Sequence, residues 1–444
     1  MEELFGRIVE EYLASAPQGH RGHHDPFGEP DGIEEAESDA ALTLICGPHG
    51  SGKTRYLARR AEDLIARGLP PERILYLDLA DSRLPRRLDR SALADAVEAY
   101  FARVPASRHE PFYLFLDHIQ SVAGWESFVR ALLDAYPARI WAADAWNPWL
   151  AQPLPSALPA STRVRALRGP SGSSVLRRLA ARAADQGDED PLRQALTQFY
   201  RLGRTVDELG PAPAGARARR AVDEGCAEDA MRLLPSTPLP LVQRTAALLL
   251  GAAGGAPSLA GVQRALAQEG LATTRATVAA IAQALEQVQL LCRLRPEGGP
   301  ADGNPRAPHL ICAADHGIAQ AFARAPLAGK RLLASVVFSQ LYEEGAEGSL
   351  RARRLPSSRS LLLTWDVSGA SPAALVLHAT PPAGTVRRLP ARLLADAEAL
   401  LAETGARRLE VVTDGAGWTC AVTGGAVEAT PLGEWVLGRA GMLS

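Results

Sequence analysis

Apolar residues in this chain fall into short runs separated by longer stretches with helical spacing, an alternation that begins near residue 40. "ALTLIC" reads as a strand, 54–67 as a helix, "RILYLDL" (73–79) as a strand and 91–103 as a helix. "FYLFLD" (112–117) follows as a strand, 125–136 as a helix and "RIWAAD" (139–144) as a strand. Short, continuous apolar runs suit strands buried on both faces, so this stretch predicts an α/β fold with a doubly wound parallel sheet. Ahead of it, Leu4, Ile8, Tyr12 and Leu13 lie on one side of an amphipathic helix over 1–14. "SAPQGHRGHHDPFGEPDGIEEAESDA" is rich in Gly, Pro and charge and reads as a linker. Its His20, His23 and His24 read as solvated, because no further ligand cluster follows at metal spacing.

Past residue 170 the pattern changes. Residues 171–235 are Ala/Arg/Leu-rich at helical spacing, interrupted by "GPAPAGAR", and predict a helical lid. After "LLPSTPLP" (233–240) come "VQRTAALLLGA", "SLAGVQRALAQ" and "TRATVAAIAQALEQVQ", then "LLCRLRP" and "PHLICAA" around a Gly/Pro/Asn turn. Three helices and a two-stranded ribbon describe a winged helix. The last segment mixes helices (331–344, 389–404) with strands "SLLLTWDV", "ALVLHAT", "RLEVVTD" and "GWTCAVT", a separate α/β domain. The expected segments are therefore 1–38, 39–170, 171–235, 236–312 and 313–444.

Composition narrows the setting. A chain of 444 residues, 47% hydrophobic and 22% charged, is an ordinary soluble globular protein of about three domains. Its formal net charge of −2 exerts no global pull on nucleic acid, so such a site must be a local patch. Five cysteines (Cys46, Cys226, Cys292, Cys312, Cys420) are odd in number and widely spaced, which argues against a disulfide framework or zinc site and for a reducing compartment. "MEELFGRIVEEYL" opens with acids, unlike a secretory signal, and no stretch approaches about 20 apolar residues. A cytoplasmic protein without membrane contact is expected.

"GPHGSGKT" (47–54) supplies the chemistry. It fits GxxxxGK[ST] in full, between a strand and a helix. Gly47, Gly50 and Gly52 let the backbone curl through Pro48, His49 and Ser51 so that several N–H groups face one anion, at the positive end of the following helix. Lys53 is expected to reach the β- and γ-phosphates of a nucleotide triphosphate, with the Thr54 hydroxyl on Mg²⁺. The chain's basic residues are almost all arginine; its lysines are Lys53 and Lys330. The second metal carboxylate should close a neighbouring buried strand, and Asp117 closes "FYLFLD". The next residue is His118, where a hydrolysing enzyme of this type usually carries Glu.

"YLFLDHIQSVAGWESFVRALLD" resembles the "FLDEIQ…GWE…LR…L.D" stretch of a family of bacterial and archaeal AAA+-type ATPases. The resemblance implies ATP and Mg²⁺ as cofactors, and a P-loop domain followed by a winged helix and a C-terminal domain of the PD-(D/E)XK nuclease type. "LPASTRVRALRGPSG" is similar to the family's Gly-Arg segment before a Pro-Leu-Ser turn, which places Arg163 at the arginine-finger position, with Thr162 in place of Gly. Position 118 holds histidine instead of the catalytic acid. The strand expected to end in a hydroxyl sensor reads "IWAADAWNPW". In the C-terminal domain Ala334 replaces a helix acid, and Asp366 survives while Val376 and His378 fill the other metal and lysine positions. Nuclease chemistry needs two or three carboxylates and a lysine, so none is expected unless Glu343 or Glu344 contributes.

These residues describe an ATP-binding protein with a degenerate hydrolytic centre, acting as a nucleotide-gated scaffold or switch for a protein or DNA partner. The alternatives are a slow but working ATPase that remodels DNA or protein, and a DNA-binding regulator whose nucleotide is structural. Arg275, Arg293, Arg295 and Arg306 are the basic groups in or near the winged helix. Packing or dimerisation into a homo-oligomer competes with DNA for that surface.

Overall fold

A computed structural model describes residues 7, 8, 11, 40–85, 88–144, 156–204, 214–294, 309–345, 349–366, 373–379 and 390–438. The linker histidines, Arg295 and Arg306 lie outside these residues. The chain divides into two compact units, Met1–Arg168 and Gly169–Ser444.

The first unit is built on five parallel strands: β1 (Leu42–Cys46), β2 (Ile74–Asp78), β4 (Phe112–Asp117), β6 (Ala138–Asp144) and β7 (Arg163–Ala166), in the order β2-β4-β6-β1-β7. The two-residue strands β3 (Leu88–Asp89) and β5 (Val122–Ala123) pair with each other. Three helices cover the sheet: α1 (Lys53–Ala66), α2 (Arg90–Arg103) and α3 (Trp125–Ala135). Because side chains alternate across a strand, Leu42, Leu44, Leu75, Leu77, Leu114, Leu116, Ile140 and Ala142 enter one core with α2 and α3. Ile45, Ile74, Phe115, Trp141 and Ala143 point the other way, against Tyr56, Leu57 and Ala61 of α1. Both faces are buried, which is why these strands read as continuous apolar runs. Phe115 stacks on Trp141 at 5.3 Å and on Tyr76 at 6.1 Å, an aromatic row across three strands beneath α1. Of the N-terminal helix, Arg7, Ile8 and Glu11 are helical, and Ile8 is buried in the α2/α3 core.

Strand β7 is not among the strands expected from the sequence. Its "RVRA" alternates Arg with Val and Ala over four residues and has no continuous apolar run; pairing with β1 makes it a strand.

The second unit opens with α4 (Gly172–Asp185), α5 (Pro191–Leu202) and α6 (Ala214–Gly225). Then come α7 (Leu239–Gly251), α8 (Leu259–Gln268), α9 (Arg275–Gln287) and an antiparallel ribbon of β8 (Cys292–Leu294) and β9 (Leu310–Cys312). Ser258 and Thr274 cap α8 and α9 through hydrogen bonds from Gly261 N and Thr277 N. Helices α10 (His316–Phe322) and α11 (Gly329–Glu343) lead to a six-stranded mixed sheet. Its order is β10 (Arg351–Arg354), β11 (Leu361–Trp365), β12 (Ala373–His378), β13 (Arg408–Thr413), β15 (Gly425–Pro431) and β14 (Trp418–Val422). Helix α12 (Ala391–Thr404) covers one face through Leu393, Ala397 and Leu400. The other face meets Val336, Val337 and Phe338 of α11, Trp435 of α13 (Leu432–Gly438), and Val175, Leu176 and Phe199 of α4 and α5. The first helices of the expected lid thus share a core with the C-terminal sheet.

Among the described residues no helix is long and apolar enough to cross a membrane. None of the five cysteines forms a disulfide.

Candidate functional site

Parallel strands bring their C-terminal ends to one edge, and four such ends build the site. Strand β1 runs into the 47–52 loop, where Gly50 (φ 80°) and Gly52 (φ 93°) adopt left-handed backbone that favours glycine. Gly47 is required by space: a Cβ there would lie 2.1 Å from the Leu167 carbonyl oxygen. Helix α1 starts at Lys53 with no side-chain cap and no acid in its first turn, so the positive end of its dipole faces the loop. Lys53 Nζ donates to the carbonyls of Gly47 and Pro48, both at 2.9 Å, which holds the ammonium over the loop. Ser51 Oγ is buried without a hydrogen-bond partner, a polar atom that a phosphate oxygen would satisfy. Thr54 is exposed, its hydroxyl at the start of the helix. The loop therefore fits a triphosphate, with Gly47, Pro48, His49, Gly50, Ser51, Gly52 and Lys53 around it.

Across the edge, Asp117 ends β4 with 1% of its surface exposed. Its Oδ2 accepts from Tyr76 Oη at 3.2 Å and its Oδ1 from the His118 backbone N–H at 3.0 Å. His118 takes a left-handed conformation (φ 56°), which folds its ring back toward the strand ends. There Nδ1 lies 3.1 Å from Asp78 Oδ1 and 3.6 Å from Asp117 Oδ1. Asp78 is in register with Asp117 on the adjacent β2. Burial alone would raise the Asp78 carboxyl, but hydrogen bonds from His118 and the Ala80 N–H outweigh it and hold Asp78 below the ordinary carboxylate range. Asp144, ending β6 between β4 and β1, is 2% exposed and stands beside Cys46. Burial first, and then the Asp144 charge, push the Cys46 thiol up, while Lys53 pulls it down. The strand next to the phosphate loop thus ends in a carboxylate; residues 145–150 of the expected sensor lie outside the described residues.

Asp78, Asp144 and Tyr76 were not anticipated as site residues. The signal for both acids was present, since each closes a buried apolar strand as Asp117 does. Arg163 is not brought to the others. It faces Thr43 on the outer strand β7, about 10 Å down the sheet from the loop by strand rise. Arg165, on the same strand, lies over the Tyr56 ring at 5.2 Å.

In the second unit, Asp366, the expected remaining nuclease carboxylate, is exposed just past β11. His378 ends β12 with Nδ1 2.8 Å from Ser360 Oγ, its pKa lowered first by burial and then by the charge of Lys330. Glu343 is engaged elsewhere: its Oε2 accepts from Gly172 N at 3.1 Å and meets Arg204 at 3.5 Å. Ala334 and Val376 are buried in the two cores of this unit. Among the described residues, Asp78, Asp117 and His118 form the one group of three side chains spaced to share a metal ion. Arg275 is exposed at the start of α9, whereas Arg293 is bound by Glu286, Nε to Oε2 at 2.8 Å.

Residues 39–165 match the family model of an AAA domain. No curated protein matches the sequence. Among solved structures, the chain is similar to the Walker-type ATPase PABY2304 of Pyrococcus abyssi, at 11% identity and a TM-score of 0.41, covering 72% of this chain and 95% of that one. It is also similar to PCH-2 of C. elegans, at 14% identity and a TM-score of 0.23, covering 53% of this chain and 66% of that one. At those scores neither likeness bears on the chemistry. The strand order, the phosphate loop with its opposed aspartate, and the matched family model agree: residues 39–165 form an AAA domain, a P-loop ATP-binding fold.

Proposed function

We propose that this protein binds ATP with Mg²⁺ and uses nucleotide occupancy as a switch or scaffold signal to a protein or DNA partner, with a hydrolytic centre that has lost its acid. The observation that carries the reading is His118. The residue after the metal carboxylate is an imidazole tied to Asp78 at 3.1 Å, not a glutamate. Lys53, Thr54 and Asp117 suffice to seat Mg²⁺ and triphosphate, whereas breaking the γ-bond also needs a group that positions and polarises water. The second unit supports a non-enzymatic role: its six-stranded sheet reads as a nuclease-like domain whose Asp366 has lost its partners, and its three helices and ribbon as a winged helix.

The His118–Asp78 contact also favours a second reading, a slow working ATPase in which Asp78 fixes the ring that orients water. Phosphate release at saturating ATP separates the two. General-base assistance contributes about 10²–10⁴-fold, so the switch reading expects turnover that far below an ordinary AAA enzyme and an increase in His118→Glu. Asp78→Asn should leave that residual rate unchanged. Turnover of several per second, abolished in Lys53→Ala, reduced in Asp78→Asn and not improved by His118→Glu, would establish the second reading instead.

A further inference from the structure

We propose that Asp78, Asp117 and His118 form a binding site for a divalent transition-metal ion of the Mn²⁺ type, one that loads without nucleotide. The donor atoms already stand at the spacing of neighbouring ligands. His118 Nδ1 is 3.1 Å from Asp78 Oδ1 and 3.6 Å from Asp117 Oδ1, and the three donors lie within 4.8 Å of one another. Metal–donor bonds of about 2.0–2.2 Å put adjacent ligands about 2.8–3.6 Å apart, in octahedral or tetrahedral arrangement.

Three features beyond the donors' proximity point to an ion. The two aspartates are held in register on adjacent parallel strands, so backbone pairing fixes their spacing rather than side-chain rotation. Asp117 is held from behind, because Tyr76 Oη donates to its Oδ2 and leaves Oδ1 turned toward His118. Carboxylates that ligate metals are usually held by an outer hydrogen bond of this kind. Finally, two carboxylates converge on one imidazole with Asp117 almost wholly buried, a setting that a bound cation would stabilise.

The donor set chooses the ion. Mg²⁺ prefers oxygen ligands and retained waters, whereas an imidazole with carboxylates suits Mn²⁺, Fe²⁺, Co²⁺ or Zn²⁺. Histidine in place of glutamate would thus have changed the metal preference of this edge as well as its hydrolytic capacity. The site shares Asp117 with the Mg²⁺ position of a bound nucleotide but does not depend on nucleotide binding.

The test is titration of nucleotide-free, full-length protein with Mn²⁺, read as loss of the free-ion EPR signal. Wild type should bind one equivalent, with Mg²⁺ competing only at large excess. His118→Ala and Asp78→Asn, both at partly exposed positions and checked for native melting, should each weaken binding at least tenfold. Lys53→Ala should bind Mn²⁺ as wild type does even though it binds ATP at least tenfold more weakly, so this inference and the nucleotide reading stand or fall separately. Absence of Mn²⁺ binding by nucleotide-free wild type, or wild-type affinity in both ligand variants, would overturn it.

Discussion

At the scale of single residues, the phosphate loop is held by close fits that tolerate little. Gly47 packs so tightly under Leu167 that any side chain must displace a backbone carbonyl, an atom that cannot swing aside. Gly47→Ala should therefore cost about 1–3 kcal/mol of stability and weaken nucleotide binding. Urea unfolding alongside ATP titration checks both; a variant with wild-type midpoint and affinity would show that the loop does not need this contact. Much of this was legible beforehand, because GxxxxGK[ST] states its own backbone requirements. Asp78 was missed for a physical reason. Closing a buried apolar strand makes an aspartate a candidate, but what sets Asp78 in the site is a register with Asp117 that joins residues far apart in sequence. The left-handed turn of His118, which aims the ring, is likewise invisible in "LDHIQ".

Elements of the first unit could be read closely because strands covered on both faces repeat apolar residues without interruption. Strand β7 was lost because "RVRA" has no such run and depends on its partner β1. In the second unit, the hub around Arg204 joins elements that sequence patterns treat as unrelated. Arg204 is 2% exposed; its Nε donates to Ser339 Oγ at 2.8 Å, its guanidinium to the Ala314 carbonyl at 2.8 Å, and its N–H to Asp315 at 2.9 Å. It also faces Glu343, whose carboxyl burial holds above the ordinary range although Arg204 pulls it down. A raised folded pKa gives stability that is present in acid and lost as pH rises through that pKa. Arg204→Met removes the charge that offsets this loss. The variant should lose about 3–5 kcal/mol near neutral pH, and less in acid, where Glu343 takes up a proton. Melting curves of both proteins from about pH 7 toward about pH 5 should therefore converge. A gap that stays constant with pH would show that the damage is packing alone.

For the molecule as a whole, the two units carry different kinds of information. Among the described residues of the first unit, buried Lys53, Asp117 and Asp144 and the left-handed His118 stand at one sheet edge; in the second, buried Arg204 ties Asp315 and Ser339 together. Asp366, Val376 and His378 do not supply the carboxylates and lysine of a nuclease, and Glu343 is committed to Arg204. Purified protein should therefore leave duplex and single-stranded DNA intact with Mg²⁺ or Mn²⁺, judged on gels against a known nuclease. Cleavage that disappears in Asp366→Ala would place an active site in the second unit after all.

The central claim is that the edge around 47–54 and Asp117 holds a nucleotide triphosphate, and calorimetric titration of the full-length chain with ATP and Mg²⁺ tests it most directly. The Lys53 ammonium is the full positive charge fixed over the loop, and a charge-assisted contact of this kind is worth about 1.5–3 kcal/mol, or about ten- to more than a hundredfold in affinity. Wild type should bind one ATP, and Lys53→Ala, with unchanged melting behaviour, should bind at least tenfold more weakly. Saturation of Lys53→Ala at the wild-type affinity, or no ATP binding by wild type at all, would contradict the account.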